Sequence, residues 1–331
     1  MTVPRYVEIA VNLGDPMFRG VYHEKKKHQD DLENVLQRAT DAGVEAQIIT
    51  AGSLSETHDV LELVKSRAGL YGTAGCHPTR STELDTYKGG PSAYMAALKS
   101  LVDAHHGKEG RIVAIGECGL DYDRLHFAPA EAQKRSFDLQ LTLAEQTGLP
   151  LFLHSRAAHA DFVAALRPHL GALRRAWGAP PEPSADGPGC VGVVHSFTGT
   201  SDELHELLSL GLYVGVNGCS LKTQENLDVV KQIPLHRIML ETDAPWCDIR
   251  PTHASAPYLD QFRKSEPSLA ALYSPAKVKP EKWTASSAVK GRNEPCQIGE
   301  VAAVAAALHQ IGLEDLAGHA YINATRLFRL S

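Results

Sequence analysis

Several sequence features that mark common protein classes are missing from this chain of 331 residues. No Cys-x-x-Cys pair occurs among its six cysteines, which argues against a zinc ribbon. No apolar run approaches the roughly 18 residues of a membrane helix. The net charge of −6 leaves no general excess of positive charge, so the chain is not expected to coat nucleic acid non-specifically.

These absences predict the cellular setting of the protein. We expect no signal peptide, because Met1–Pro4 leads straight into a strand. A chain of this size does not need disulfides, and its hydrophobic content of 43% supports a sizeable core. We therefore expect a soluble, intracellular protein of the cytoplasm or the nucleus. It would have reduced cysteines, no membrane association, no obligate protein partner and at most weak self-association.

Apolar strand patterns alternate with amphipathic helix patterns eight times along the chain. This alternation predicts an α/β fold, a (β/α)8 TIM barrel formed as one domain by residues 1–331. A doubly wound sheet is the main alternative fold. It is disfavoured because no G-x-G-x-x-G motif follows the first strand. The predicted strands are Tyr6–Leu13, Ala46–Ala51, Leu70–Gly75, the start of Ile112–Asp121, Leu149–His154, Val191–His195, Leu212–Gly218 and Arg237–Thr242.

Two segments stand apart from this alternation. Gly178–Gly189 is rich in Pro, Gly, Ala and Ser, and it joins a helix to a strand. We interpret it as an insertion on the bottom face of the barrel, away from the chemistry. Cys247–Pro295 is predicted to be a long irregular loop on the opposite face, before final helices near Ile298–Gln310 and Glu314–Phe328.

Four of the apolar runs end in residues that commonly bind metals. In a parallel barrel the carboxyl ends of all strands open on one face, so these four side chains would converge there. Asp, Glu and neutral His suit Mg²⁺, Mn²⁺ or Zn²⁺. Any one histidine alone is better explained as structural, but four such residues at four strand ends indicate a metal site. They are Glu117, His154, His195 and Asp243.

Longer motifs around these residues resemble those of the TatD family of metal-dependent deoxyribonucleases. The motifs are GECGLD (Gly116–Asp121), FLHSR (Phe152–Arg156), VHSFTG (Val194–Gly199) and ETDAPW (Glu241–Trp246), with GCHP (Gly75–Pro78) and RNEP (Arg292–Pro295) in support. The resemblance runs in order from about Tyr6 to Phe328. It implies a barrel of the metallohydrolase type that hydrolyses DNA phosphodiesters with one or two divalent metal ions.

The resemblance also implies roles for single residues. Glu117, His154, His195 and Asp243 would be metal ligands, and Glu117 would bridge two ions. Asp243 is either a ligand only or also the group that orients or deprotonates the attacking water. His77 would contact phosphate or act as a general acid, unless it is a structural loop residue.

The chain departs from related barrels at the end of strand one, and a second candidate substrate contact, Arg156, has an alternative structural role. Many related barrels carry His-x-His at the end of strand one, where this chain has Ala10 and Asn12. The Asn12 amide could still touch a metal, a water molecule or the substrate, but occupancy of a second metal position is open. Arg156 is a candidate phosphate ligand, and its alternative is a salt bridge with Asp121 or Asp123.

A basic segment follows the last predicted strand. Residues 263–292 contain seven Lys or Arg residues and two acidic residues, Glu266 and Glu281, which is a local charge of +5. Lys277, Lys279 and Lys282 are therefore candidate DNA contacts, and a merely solvated loop is equally plausible. Trp246, Trp283 and Tyr122 would either stack on unpaired bases or pack within the protein.

The sequence thus predicts a metal-dependent deoxyribonuclease, and the resemblance implies 3′–5′ exonuclease action. The first alternative is a metal-dependent hydrolase of another ester or amide on the same scaffold. The second is a non-catalytic nucleic-acid-binding or scaffold protein, which the four intact ligand residues argue against.

The predicted insertion provides a first test. Replacing Gly178–Gly189 by a short Gly/Ser link should leave the rate of DNA hydrolysis nearly unchanged, because the segment is expected on the face away from the chemistry. Turnover of a labelled oligonucleotide measures this. A tenfold lower rate in a variant that is still folded would mean that the predicted topology is wrong.

Overall fold

The computed structural model describes residues 2–107, 110–178 and 191–330. Eight strands form one sheet in chain order, and the pairings recorded within it are parallel. The strands are β1 (Tyr6–Val11), β2 (Val44–Ile49), β3 (Leu70–Ala74), β4 (Ile112–Asp121), β5 (Leu151–Arg156), β6 (Gly192–Val194), β7 (Tyr213–Val216) and β8 (Ile238–Leu240).

The first and last strands of this sheet are neighbours. The Asp243 backbone N–H donates to the carbonyl of Ala10 at 3.0 Å, and the Asn12 N–H donates to the carbonyl of Ala244 at 2.8 Å. A parallel bridge joins Val11 to Ala244. The sheet therefore closes on itself, and the predicted (β/α)8 TIM barrel is confirmed.

Helices follow the strands. They are α1 (Leu32–Asp41), α2 (Leu54–Ser66), α3 (Glu83–Thr86), α4 (Gly90–His105), α5 (Ala130–Thr147), α6 (His159–Leu166), α7 (Leu170–Trp177), α8 (Ser201–Ser209), α9 (Gln224–Val230), α10 (Ala256–Ser265), α11 (Pro267–Tyr273), α12 (Ile298–His309) and α13 (Leu313–Phe328). Short 3-10 turns lie at Pro16–Arg19, Pro78–Arg80, Tyr122–Arg124, Arg167–His169, Cys219–Leu221, Pro280–Lys282 and Pro295–Gln297. Two-residue strands pair as Val21–Tyr22 with Lys25–Lys26 and as Lys277–Val278 with Ala288–Val289.

The chain divides into two compact units. The first consists of Met1–Ile48, Ser196–Thr198 and Gly215–Asn323, and it contains β1, β8, α1 and α9–α12. The second consists of Ile49–His195, Gly199–Val214 and Ala324–Ser331, and it contains β3–β6 and α2–α8. One domain over residues 1–331 remains a prediction. Of the predicted insertion, residues 179–189 lie outside the described ranges.

Local rules explain several helix ends. The Ser53 hydroxyl caps α2 by accepting from the Glu56 N–H at 3.1 Å. Thr200 caps α8 through a reciprocal bond with Glu203. At the end of α5, Gly148 adopts the left-handed conformation.

Two element predictions were wrong. The helical pattern of the sequence predicts one helix over Ala158–Trp177, but a 3-10 turn that contains Pro168 interrupts it, because proline cannot donate the backbone hydrogen bond that a continuous helix requires. The segment Cys247–Pro295 is not one irregular loop, since it contains α10 and α11, both of which begin with a proline in the first turn.

The membrane prediction can be compared with helix lengths. Within the described part of the chain, no single helix is long and apolar enough to cross a bilayer. The span from Pro295 through α13 meets the length and composition criteria only as a bent helix pair.

A buried ion cluster in the first unit changes the interpretation of the basic segment. Arg292 is 0% exposed, and its guanidinium donates to both carboxylate oxygens of Asp31 at 2.7 Å and to Glu294 at 2.8 Å. Burial lowers the pKa of Arg292, but the hydrogen bonds and charges of Asp31 and Glu294 outweigh it and raise the pKa. Arg38 also pairs with Glu294 at 2.7 Å. Counting Arg292 as part of a DNA-binding surface was therefore wrong.

Breaking this cluster should destabilise the protein. Asp31→Asn keeps the shape of the side chain but removes one of the two charges that compensate buried Arg292, so we expect a cost of about 3–5 kcal/mol. The midpoint of urea denaturation, followed by circular dichroism, measures the effect.

A matched control is Glu45→Gln, which breaks the exposed Arg5–Glu45 pair at 2.6 Å. Exposed ion pairs contribute about 0–1 kcal/mol, so its midpoint should hardly move. Equal midpoints for the two variants would mean that the Arg292 cluster does not hold the first unit together.

Candidate metal centre

Five predicted or newly found residues of the centre lie at the ends of β3–β6, all in the second unit. Glu117 and Asp121 lie in the last five residues of β4, and His154 lies in β5. His195 follows β6, and its backbone N–H donates to the carbonyl of Leu153 at 3.0 Å. His77 follows β3 and is held by a bond from its N–H to the carbonyl of Gly52 at 2.9 Å.

Two glycines in β4 allow its neighbours to approach closely. Gly116 and Gly119 have φ values of 146° and 143°, which other residues rarely adopt. A Cβ atom at either position would collide with a backbone carbonyl of β5, that of Phe152 or that of His154. The register between β4 and β5 shifts between Ile115 and Cys118, at the position of Glu117. Glycine at these positions therefore fixes how β4 presents its carboxylates beside β5.

One carboxylate oxygen is the centre of the cluster. Glu117 Oε1 lies 2.8 Å from His154 Nδ1, 2.8 Å from His195 Nε2 and 3.4 Å from His77 Nε2. On the far side of His154, Nε2 lies 3.2 Å from Asp121 Oδ2. The structure thus brings together four predicted site residues, because His154, His195 and His77 all surround the Glu117 carboxylate. Asp121 joins them through His154.

The rings are also packed against one another. His77 and His154 make an edge contact with centroids 4.8 Å apart, and His195 stacks on Phe152 at 4.8 Å. The side chains of Glu117, His154 and His77 are only 13%, 16% and 14% exposed. This packing fixes the direction of each ring nitrogen before any ligand binds.

The charges in the cluster stabilise one another. Burial raises the pKa of the Glu117 carboxyl, but the charges of His195 and His77 and two hydrogen bonds from imidazoles bring it well below the ordinary value. Burial lowers the pKa of His154, but the hydrogen bonds with Asp121 and Glu117 raise it overall. Asp121 has a lowered pKa because the bond to His154 outweighs its own burial. The carboxylates are therefore ionised at neutral pH.

This donor set fits a divalent cation. Two groups have ligand atoms within 4.8 Å of one another, one formed by Glu117, His154 and His195 and the other by His77, Asp121 and His154. Asp121 Oδ1 is buried and has no hydrogen-bond partner in the described part of the chain. Both ring nitrogens of His154 face carboxylate oxygens, which a neutral imidazole can satisfy on only one side. A cation bound at one ring nitrogen would remove this conflict, because the other nitrogen then keeps its proton and donates to the carboxylate beside it.

The tautomer of His77 can be inferred from its neighbours. The backbone N–H of Thr79 donates to His77 Nδ1 at 3.2 Å, so this nitrogen is the acceptor and Nε2 carries the proton of the neutral ring. That proton faces Glu117. His77 is therefore arranged as a hydrogen-bond donor at the centre.

Asp243 and Asn12 lie in the first unit. The Asn12 side-chain amide donates to Asp243 Oδ1 at 3.0 Å and to the carbonyl of Ala244 at 3.3 Å. The Cys247 sulfur lies 3.4 Å from Asp243 Oδ2. Asn12 thus orients the Asp243 carboxylate. Roles of Asp243 as a metal ligand and of Asn12 at the substrate remain predictions.

The predicted substrate contacts differ in how they are engaged. Arg156 pairs with Asp123 at 2.9 Å, one of the salt bridges considered as its alternative. Lys277 pairs with Asp248 at 2.7 Å, whereas Lys279 and Lys282 are exposed. Their contacts with DNA remain predictions.

Two of the proposed base-stacking residues are engaged in the protein. Trp283 stacks on His28 with ring centroids 5.3 Å apart, and its Nε1–H donates to Asp31. The Tyr122 hydroxyl donates to Asp161 at 2.6 Å. Trp246, by contrast, is 49% exposed.

The sequence analysis missed Asp121 as a member of the centre. It considered this residue only as a partner of Arg156. The signal was present, because Asp121 ends the same motif that contains Glu117, and the extended β4 carries both. The strand was predicted only at the start of Ile112–Asp121, which hid the second carboxylate.

Comparisons with known proteins agree with the fold and with the family resemblance. The sequence model of the family described as TatD related DNase matches residues 21–329. "Deoxyribonuclease Tat-D" of Schizosaccharomyces pombe is 43% identical over 98% of this chain and 95% of its own length. "3'-5' ssDNA/RNA exonuclease TatD" of Edwardsiella piscicida is 33% identical over 98% of this chain and 100% of its own.

A solved structure titled as an uncharacterized amidohydrolase from Saccharomyces cerevisiae superposes with a TM-score of 0.85. It is 34% identical and covers 98% of this chain and 99% of its own. With the strand-end cluster of carboxylates and imidazoles, and a family match that spans most of the sequence, the chain belongs to the TatD-related DNase family.

Proposed function

We propose that this chain is a divalent-metal-dependent deoxyribonuclease that removes nucleotides from the 3′ end of DNA. The observation that carries the proposal is the Glu117 carboxylate, which is buried among three imidazoles at the strand ends of a barrel of this family. The names of the fission-yeast and bacterial relatives support the substrate and the polarity.

The residues of the centre divide into two sets. Glu117, His154 and His195 would hold one ion, and Asp121 with His154 offers a second position. We propose Asp243 as a further ligand and as the group that orients the attacking water and accepts its proton. A bound divalent ion supplies Lewis-acid stabilisation of the negative charge on a phosphoryl group. Whether the ion is Mg²⁺, Mn²⁺ or Zn²⁺ is to be measured.

His77 acts as a donor in this scheme. Its Nε2–H points into the centre, because Thr79 fixes Nδ1 as the acceptor. From this position the neutral ring can donate a hydrogen bond to a phosphate oxygen.

The direct test uses 5′-labelled single-stranded and duplex DNA incubated with Mg²⁺, Mn²⁺ or Zn²⁺. Products shortened stepwise from the 3′ end are expected. Release of a labelled terminal nucleotide first, or no turnover with any of the three ions, would contradict the proposal. Rapid turnover of a neutral amide or ester, unaffected by salt, would instead favour a hydrolase of another substrate on this scaffold.

Glu117→Gln should abolish activity but preserve the fold. The amide keeps the shape of the side chain but loses the charge that the imidazoles surround, so we expect turnover to fall at least about 100-fold and bound metal to decrease. Initial rates on DNA and metal content after dialysis provide the measurement.

The matched control is Glu206→Gln, because Glu206 also pairs with a histidine, His159, at 3.0 Å but is far more exposed. It should retain nearly full activity. Near-normal cleavage by the Glu117 variant at saturating metal would rule out its role as a ligand.

Neutralising Lys279 and Lys282 together should weaken DNA binding without reducing metal content. If each contacts a phosphate, the salt slope of affinity on single strands should flatten by roughly 1.4, or about 0.7 per contact. Lys277→Gln is the comparison, because its ammonium is already paired with Asp248, and it should change the slope less.

Affinity for a labelled oligonucleotide across a salt series measures the slopes. The loss should be similar for different base sequences, because phosphate contacts carry no sequence information. An unchanged slope in the double variant would mean that this segment is only a solvated surface.

A further inference from the structure

The loop between β4 and α5 exposes apolar side chains beside the metal centre. Phe127 is 60% exposed and Leu125 is 44% exposed, and both belong to the few large hydrophobic side chains with such exposure in the described ranges. The loop, residues 122–129, begins immediately after Asp121. An exposed aromatic ring this close in the sequence to a functional centre is a candidate ligand contact, whereas Leu125 offers no face for stacking.

The loop is fixed rather than loosely attached. Gln133 is fully buried, and its side-chain oxygen accepts from the Asp121 N–H at 2.8 Å. Its side-chain nitrogen donates to the carbonyls of Asp121 and Ala128, both at 2.9 Å. Within the loop, the Phe127 N–H donates to the carbonyl of Arg124 at 3.0 Å. Gln133 thus joins both ends of the loop. The exposed position of Phe127 therefore belongs to an anchored loop conformation.

The same loop and the end of β5 carry two half-exposed guanidinium groups, each paired with a carboxylate. Arg124 Nη1 lies 3.6 Å from Asp121 Oδ2, and its side chain is 55% exposed. Arg156, two residues after His154, is 50% exposed and reaches back to Asp123 in the same loop. Two guanidinium groups therefore lie within a few residues of Phe127 and of the centre in the sequence, and each could exchange its carboxylate for a phosphate.

An aromatic ring beside two arginines matches one ligand chemistry. Arginine binds phosphate oxygens, and an exposed ring stacks on the face of an unpaired base. The His126 ring supports Phe127, with centroids 4.2 Å apart. In a duplex the base faces are covered by neighbouring pairs, so only a single strand can offer one to the ring.

We propose that Phe127 is the stacking platform for an unpaired base of the single-stranded substrate, with Arg124 and Arg156 directed to the adjoining phosphates. This inference rests on the proposed function and specifies how the substrate is held. Phe127 is a positioning residue, since it binds a base and not the reacting atoms. The contact is tolerant of base identity because every base has a π-face.

The test combines a protein change with a substrate change. Affinity is measured in Mg²⁺ with a single-stranded oligonucleotide that carries phosphorothioate linkages at its 3′ end, intact or with one abasic position moved through the last four nucleotides. Phe127→Ala should weaken binding of the intact strand about tenfold, within the range found for base-stacking aromatics. One abasic position should cost the wild-type protein a similar factor but cost the Phe127→Ala variant almost nothing.

Three controls separate stacking from other effects. Leu125→Ala removes an exposed apolar side chain from the same loop and should change affinity less than twofold. Phe127→Trp restores a ring and should restore binding. The salt slope should be the same in Phe127→Ala as in the wild type, because stacking releases no counterions. Thermal unfolding midpoints should agree for all variants.

Equal losses for Phe127→Ala and Leu125→Ala, or an abasic penalty that persists in Phe127→Ala at every position, would overturn the inference. Failure of the proposed function is recognised separately. In that case the wild-type protein would not hydrolyse an unmodified strand with Mg²⁺, Mn²⁺ or Zn²⁺, whatever the binding cycle shows.

Discussion

The charge of Glu117 is the constraint around which the centre is built. A carboxylate that is 13% exposed would be costly to bury alone, and the three imidazoles compensate it. To reach them, β4 must pass close to β5, which only glycine at positions 116 and 119 permits. The close approach of β4 and β5 thus brings the imidazoles to Glu117, and the imidazoles in turn keep its carboxylate ionised.

Much of the fold and the ligand set could be predicted because both depend on local patterns. Buried parallel strands appear as uninterrupted apolar runs, and a polar residue directly after such a run lies at a strand end. This was sufficient to place Glu117, His154 and His195 next to one another. It was sufficient also for the barrel, whose eight strands match the eight predicted runs.

Interactions between distant parts of the sequence could not be predicted. Arg292 was counted toward the charge of the basic segment, because nothing near it in the sequence reveals that Asp31 lies within 2.7 Å of it. The clustering of Asp121 with His77 depends on how far β4 extends, which is a matter of tertiary pairing rather than propensity. The exposure of Phe127 depends on Gln133, a contact that composition cannot show.

The bonds of Gln133 to both ends of the loop after β4 have a consequence for how this protein can change over evolutionary time. Because the backbone at residues 121 and 128 is held by the same buried amide, the strand end stays anchored when residues between them are replaced. Substrate preference and chemical competence are thereby separated into different segments of the chain. New preferences can then be explored by mutation in residues 122–127 while the hydrolytic centre is preserved.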